Sequence, residues 1–143
     1  MEVPRSSFRY LFADTVRLLF KQSTRELANA GIQILPEQHF LLNLIASKEE
    51  TIQSDLAELI HKDKSAVMRH IDQLESMGYL IRVNDTADRR KKHLVITEAG
   101  KDIMQQCQEV IDLVTERNLV GISDEELDVF TKVLIKLKQN AEK

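Results

Sequence analysis

The chain has 143 residues, of which 43% are hydrophobic and 30% charged, and its formal net charge is -3. This length and composition predict one folded domain with a real core, and they exclude a disordered chain. The single cysteine excludes a disulfide within the chain and fits a reducing cytoplasm, and no uncharged run approaches the length of a membrane span. We therefore expect a cytoplasmic protein with no membrane partner.

The first predicted helix spans about residues 6–30. Ser6 or Ser7 can cap its start, and Gly31 can end it in the left-handed conformation that glycine adopts at little cost. Its apolar residues recur at intervals of three and four, in a stripe wider than packing on one small domain requires. The stripe includes Phe8, Leu11, Phe12, Val16, Leu18, Leu19, Phe20 and Leu27. Such a stripe fits either an ordinary core or an oligomer interface.

Two shorter amphipathic helices follow. Pro36 opens the second helix, where its missing N–H costs nothing, and a polar break follows at residues 47–51. The predicted buried face of the second helix consists of Phe40, Leu41, Leu44 and Ile45. The third helix, at about Ser54 to His61, is predicted to bury Leu56, Ala57 and Ile60.

The fourth helix begins after Asp63, a good N-cap, and its two faces differ in polarity. The inward stripe consists of Val67, Ile71 and Leu74. The opposite face carries Ser65, Arg69, Asp72 and Ser76, with Lys64 and Met68 on its flanks. One side of this helix therefore belongs to a core, and the other is available for a partner.

A turn-rich basic segment separates two predicted strands. Gly78 permits the turn into the first strand, at residues 79–83, and the alternating β-branched residues 93–97 predict the second. Four consecutive cations, Arg89 to Lys92, lie between them. Residues 61–101 carry nine Lys and Arg against six Asp and Glu, whereas the rest carries 11 against 17. A locally basic face attracts phosphates although the whole chain is acidic.

Two long helices complete the predicted fold. Thr97 can cap a fifth helix, from Glu98 to about Leu119, whose stripe consists of Ile103, Cys107, Val110 and Val114. Gly121 breaks that helix, and Ser123 begins the capping box of a sixth. The fold class is mainly α (α+β), in the order α-α-α-α-β-β-α-α. Residues 36–100 follow the plan of a helix-turn-helix with a wing, whose second helix fits a DNA major groove.

Three blocks of this stretch resemble the MarR family of bacterial winged helix-turn-helix regulators. The blocks are SDLAELI, KSAVMRHIDQLESMGYLIR and DTADRRKKHLVITEAGK, and the similarity is dense over residues 52–101. The resemblance implies a single MarR-like domain over residues 1–143, dimerised by terminal helices at about 6–30 and 98–141. It assigns the homodimer contact to Phe8, Leu11, Phe12, Leu127, Phe130 and Leu134.

We therefore predict a regulator of transcription that binds double-stranded DNA sequence-specifically, as a homodimeric repressor on an inverted repeat. The predicted DNA contacts are Ser54, Lys64, Ser65, Met68, Arg69, Asp88, Arg89, Arg90, Lys91 and Lys92. Narrow A·T-rich minor grooves favour inserted arginine, and the resemblance makes Arg90 that residue and Asp88 its orienting partner. Met68 suits contact with a thymine methyl and internal packing equally well. For the cations, the alternative interpretation is a solvated charged surface with no partner. A winged-helix module that binds only protein is the alternative function.

No cofactor, metal or enzymatic activity is expected. The four histidines and Cys107 are scattered, and neither a Gly-rich phosphate loop nor a nucleophile elbow is present. Cys107 lies in an apolar stripe and is interpreted as a small hydrophobe, since the first helix lacks the sensing cysteine of some MarR relatives. The resemblance also implies a small-molecule effector, bound between the terminal helices and the recognition unit, the winged helix-turn-helix of residues 36–100. Family members bind small anionic aromatics in this position.

Overall fold

A computed structural model describes residues 4–59 and 63–143 of the chain. Four helices come first: α1 (Arg5–Asn29), α2 (Pro36–Ala46), α3 (Gln53–Leu59) and α4 (Lys64–Ser76). Two strands follow, β1 (Leu80–Asn84) and β2 (Lys92–Ile96), and the chain ends with α5 (Glu98–Asn118) and α6 (Asp124–Ala141). The predicted order of elements and the winged-helix fold class are confirmed.

The two strands form an antiparallel hairpin whose tip is the wing, residues 85–91. Leu80 lies opposite Ile96, and Asn84 lies opposite Lys92. An isolated bridge between Ile52 and His93 adds a short third edge just before α3. Both strands differ by one residue from the predicted bounds. The hairpin is therefore joined directly to the first helix of the helix-turn-helix.

The core lies in the middle of the chain, between the end of α1, helices α2 to α4, the hairpin and the first half of α5. Burial of one large aliphatic side chain stabilises the fold by about 1.5–3 kcal/mol, and this core contains many. The largest fully buried side chains are Leu27, Leu42, Leu56, Val67, Ile71, Leu74, Leu80 and Cys107. Three of them belong to the predicted inward stripe of α4, so burial fixes the rotation of that helix.

Side-chain caps confirm the predicted starts of three helices. The side-chain oxygens of Asp63, Thr97 and Ser123 accept backbone N–H groups at 3.3, 3.0 and 3.1 Å. Glu126 completes the predicted capping box by accepting from the backbone N–H of Ser123 at 2.8 Å. Gly78, with a φ of 81°, makes the turn between α4 and β1. These local signals set where the three helices begin and where β1 starts, without reference to distant contacts.

The predicted start of the first helix is wrong. The helix begins at Arg5 after Pro4, and no side-chain cap closes it among the described residues, so neither Ser6 nor Ser7 is the N-cap. Instead the backbone N–H of Ser7 bonds to the carbonyl of Pro4 at 2.8 Å. Proline already has a φ suited to a helix start, and the chain can therefore enter the helix before either serine.

The predicted buried face of α2 is partly wrong. Phe40 is 57% exposed, whereas Leu42 is fully buried beside Leu41 and Ile45. Residues 40–42 are all apolar, so spacing alone did not decide which of them faces the core. The predicted burial of Ala57 and Ile60, and the predicted helix end at His61, lie outside what the structure describes.

The terminal helices differ from this core. None of the residues of α6, all of which are described, is buried. Large apolar side chains on α1 and α6 are exposed, and the rings of Phe8 and Phe12 stack on each other with centroids 5.7 Å apart. An apolar groove of about 470 Å³ runs between Phe8 and the α6 residues Val129, Phe130 and Val133. Among the described helices, none combines the length and apolar character needed to cross a bilayer.

Candidate nucleic-acid interface

The outward face of α4 is polar and accessible. Lys64, Ser65 and Arg69 are exposed, as is Ser54 near the start of α3. Met68 is half-buried and packs against the core, which agrees with the packing interpretation, and its contact with a thymine methyl stays a prediction. The exposed edge of α4 can therefore offer two cations and a hydroxyl to a partner.

Asp85 organises the wing from its base. One carboxylate oxygen accepts the backbone N–H groups of Ala87 and Asp88 at 2.8 and 2.9 Å, and the other lies 2.6 Å from Nε2 of His93. The hydrogen bond with His93, followed by those two N–H groups, lowers the pKa of Asp85 to about 2. The carboxylate is therefore ionised at neutral pH. Sequence reasoning missed this residue, although aspartate at the start of a turn is a known signal for such bonds.

The tip of the wing presents Arg90 to solvent. The side chain of Arg90 is 92% exposed, and its Nε lies 3.3 Å from Oδ1 of Asp88, which also accepts the Arg90 backbone N–H at 3.0 Å. This pairing is the geometry that the predicted orienting role of Asp88 requires. Arg89 and Lys91 are exposed, whereas Lys92 is half-buried and donates from Nζ to Asn84 at 2.5 Å. The predicted wing residues are thus close together.

Arg82 on β1 connects the hairpin to both helices of the helix-turn-helix. Its guanidinium lies 2.5 Å from Asp72 and 2.8 Å from Glu75 on α4, and its Nε donates to Gln53 on α3 at 2.6 Å. The side chain is only 17% exposed. Partial desolvation lowers the pKa of Arg82, but hydrogen bonds and charge from Asp72 and Glu75 outweigh this and raise it. Sequence reasoning missed this cluster, because Asp72 fitted a solvated face and Gln53 is 29 positions away.

Residues 34–92 match the sequence model of the MarR family. This segment runs from just before α2 to the start of β2, so it contains the helix-turn-helix and the wing. This match confirms the predicted resemblance of the helix-turn-helix and wing to the MarR family. Proteins of this family are transcriptional regulators and not enzymes, which confirms the prediction that the chain is no enzyme.

Solved structures similar to the whole chain have the same fold. AbsC, a MarR family transcriptional regulator from Streptomyces coelicolor, is 21% identical with a TM-score of 0.83, over 99% of this chain and 97% of that one. MepR of S. aureus, solved as a complex with DNA, is 20% identical with a TM-score of 0.81, over 97% and 99% of the two chains. The transcriptional regulator PA3341 is 27% identical with a TM-score of 0.76, over 94% and 98%.

The chain also contains a cleft of about 1160 Å³ between the terminal helices and the recognition unit. Its walls come from all six helices, and Phe20, Phe40, Leu41, Leu44 and Ile111 supply much of the apolar lining. The exposed ring of Phe40 faces this cleft, which accounts for its absence from the core. Among the described residues, no group of three or more His, Cys, Asp and Glu is placed to hold a metal ion.

Proposed function

We propose that this MarR-like chain regulates transcription as a homodimer that binds double-stranded DNA at an inverted repeat. In this proposal the protein is a repressor, and a small molecule bound in the cleft releases it. The observation that carries the proposal is the placement of α4 and the wing. Their exposed cations lie on α4 and at the tip of the hairpin, and Arg82 on β1 ties this hairpin to α4.

In the proposed complex α4 lies in a major groove, and the wing reaches the neighbouring minor groove. Ser65, Lys64 and Arg69 contact base edges or phosphates, because hydroxyl and cationic groups at the exposed start of a helix suit both. Arg90 enters the minor groove, while Arg89, Lys91 and Lys92 contact phosphate. The DNA complex of MepR supports this arrangement, since that protein binds DNA with the same fold.

Dimerisation is supported by the exposed apolar side chains of the terminal helices. On α6, Val129, Phe130 and Val133 are exposed, and Leu127 and Leu134 are only half-buried. Phe8, Leu11 and Phe12 present a similar surface on α1. Contiguous apolar surface of this kind is typical of a protein interface. A second copy of the chain would cover it and place two recognition helices side by side.

The decisive experiment measures DNA binding by the purified full-length chain. Fluorescence anisotropy with DNA from upstream of its own gene is expected to reveal a site that binds more tightly than a shuffled sequence of equal composition. The logarithm of affinity should fall with the logarithm of salt concentration by roughly 0.9 for each phosphate contacted. Sedimentation should give a dimer on one inverted repeat. Equal affinity for site and shuffled DNA would refute the proposal and favour a protein-binding module.

A further inference from the structure

Resting on the proposed role of the cleft as an effector site, we propose that its ligand is an organic cation with an apolar or aromatic body. We further propose that this cation acts on α4 through the contact between Glu37 and His70. Both the charge of the ligand and the point at which it acts follow from residues that line the cleft.

The described lining residues carry more negative than positive charge. Four carboxylates line the cleft, and two lysines, Lys48 and Lys138, oppose them. The carboxylates belong to Glu37, Asp55, Glu58 and Glu142. Lys138 lies on α6 3.9 Å from Glu142, so this amine and this carboxylate offset each other. The other three carboxylates, on α2 and α3, then face Lys48 alone among the described lining residues. An anionic ligand would meet the carboxylates of α2 and α3, whereas a cation would be attracted to them.

The apolar lining also suits a cation. The rings of Phe20 and Phe40 are both about half-exposed and line the cleft from α1 and α2. The face of an aromatic ring carries negative charge density, and ammonium groups bind there within about 6 Å of the ring centre. A flat or branched apolar body would cover these rings, and its cationic group would lie toward the carboxylates.

His70 brings the recognition helix itself into the cleft. Its Nε2 lies 3.2 Å from a carboxylate oxygen of Glu37, and its Nδ1 lies 3.4 Å from Nε2 of Gln38. Gln38 is only 3% exposed, and the same Nε2 donates to Gln73 of α4 at 2.8 Å. A small set of polar contacts, grouped around one buried amide, thus helps to hold α4 against α2.

A cation bound at Glu37 would compete with His70 for the same carboxylate. Loss of that contact weakens the attachment of α4 to α2, while the contact between Gln38 and Gln73 can persist. The ligand would thereby favour a position of α4 that differs from the DNA-binding one. A ligand shifts such an equilibrium only by its difference in affinity for the two positions, and the Glu37–His70 contact supplies that difference.

The test compares two probes of similar size and opposite charge, benzyltrimethylammonium and benzoate, on the full-length chain. Calorimetry without DNA measures binding, and anisotropy with the specific DNA site measures release. We expect the cation to bind and to lower DNA affinity by about 5- to 150-fold, the usual range of coupling, and benzoate to do neither. Stronger release by benzoate, or cation binding without any change in DNA affinity, would overturn the proposal.

Two variants separate binding of the cation from the effect of the bound cation on DNA affinity. Glu37→Gln should weaken cation binding by at least about tenfold, the effect of losing one charge-assisted contact, and raise the concentration needed for release accordingly. His70→Ala should reduce the ratio of DNA affinities without and with saturating cation toward one. Glu49→Gln, an exposed glutamate outside the cleft lining, is the control and should match the wild type. Wild-type behaviour of both Glu37→Gln and His70→Ala would overturn the assignment.

Because cation binding is measured without DNA, the two proposals can fail separately. If the chain binds no specific DNA, the proposed function is wrong. If it binds DNA but no cation, only the proposal for the cleft is wrong.

Discussion

The recognition unit and the terminal helices differ in how much of their apolar surface is buried within a single chain. Helices α2 to α4 and the hairpin enclose side chains with almost no exposure, such as Leu42, Leu56 and Ile71. Helix α6 is also amphipathic, and Ser123 and Glu126 form a capping box at its start, yet all of its residues are exposed or half-buried. An amphipathic pattern therefore predicts that the apolar face of a helix will be buried. It does not indicate whether the residues that bury this face belong to the same chain.

The polar contacts show the same contrast. Arg82 joins three elements of the recognition unit through an almost enclosed cluster. The ion pairs of α6, such as Lys132 with Asp128 at 2.7 Å, are exposed pairs within one helix, which contribute little to stability. The recognition unit is thus fixed by distant contacts, whereas the position of α6 depends on apolar contacts that one chain completes only in part.

The largest effect is expected from removal of α6. Deletion of residues 126–143 should give a monomer or an aggregate that has lost specific DNA binding, because it removes the α6 part of the exposed apolar surface that a second copy is proposed to cover. Sedimentation and anisotropy measure the two properties. A folded monomer that still binds its site with full affinity would show that the recognition unit needs neither α6 nor a second copy.

The sequence predicted most of the fold because its strongest signals are local. The caps at Asp63, Thr97 and Ser123, and the turn at Gly78, depend on residues within a few positions of each other. The inward stripe of α4 was equally clear, since its polar and apolar residues separate cleanly around the helix.

Errors and omissions arose where distant packing decides. In α2 the burial of Leu42 instead of Phe40 depends on where the cleft lies. The Arg82 cluster joins residues 7 to 29 positions apart, and no periodicity indicates such a contact. In the wing the reverse holds: the pairing of Asp88 with Arg90 spans two residues, and the structure contains the contact that the prediction required.

A substitution at Gly100 should disturb the packing of α5 against the hairpin, where the terminal helices meet the recognition unit. A Cβ at this position would overlap the carbonyl oxygen of Tyr79 and crowd the side chain of Ile96. Gly100→Ala should therefore destabilise the protein by about 1–3 kcal/mol or more, the cost of overpacking, although alanine alone favours a helix by about 1 kcal/mol over glycine.

Urea unfolding measures this cost. Gly121→Ala is the control: the described structure leaves open space around its Cβ, but its φ of +83° is unfavourable for alanine. It should cost about 1–2 kcal/mol, as expected for the left-handed conformation. If Gly100→Ala proves more stable than the wild type, α5 is not held against the hairpin as described.

Within the recognition unit, substitutions of different wing residues should affect DNA binding in different ways. Arg90→Ala should weaken specific binding by about 1–3 kcal/mol, most strongly at sites with A·T-rich flanks, because narrow minor grooves there attract arginine. Lys92→Ala should lower affinity for all sequences alike and reduce the salt slope by roughly one unit. Its effect should be the smaller one, since Lys92 is half-buried and bonded to Asn84.

The direction in which Asp88→Ala changes DNA affinity distinguishes two roles for the wing. Removal of a negative charge near DNA should tighten binding if only charge matters, yet loss of the partner of Arg90 should weaken it. We expect weaker binding that mimics part of the Arg90 defect. Affinities on A·T-rich and G·C-rich flanked sites at two salt concentrations measure all three variants. Tighter binding by Asp88→Ala, together with equal behaviour of Arg90→Ala and Lys92→Ala, would reduce the wing to a charged loop.

The smallest effect on function is expected at Cys107, on the part of α5 that packs into the core. Its side chain is fully buried, and burial raises the pKa of the thiol to about 11. At pH 7 roughly one thiol in 10⁴ is then ionised, and the thiolate is the form that reacts with peroxide. Peroxide should leave DNA binding unchanged in the wild type and in Cys107→Ser. Oxidative release of the wild type alone would identify a sensor.

Stability should nevertheless depend on this thiol in a pH-dependent way. Cys107→Ser should cost about 1–3 kcal/mol at neutral pH, because a hydroxyl replaces a thiol in an apolar core. Above pH 9.0, the ordinary pKa, the unfolded thiol ionises while the folded one stays protonated up to about pH 11. The unfolded state then binds fewer protons, so wild-type stability falls as pH rises through this range, and serine shows no such term. Urea unfolding at pH 7 and pH 10 should therefore reveal a smaller difference between the two proteins at pH 10, and an unchanged or larger difference would mean that the thiol ionises in the folded chain as readily as in water.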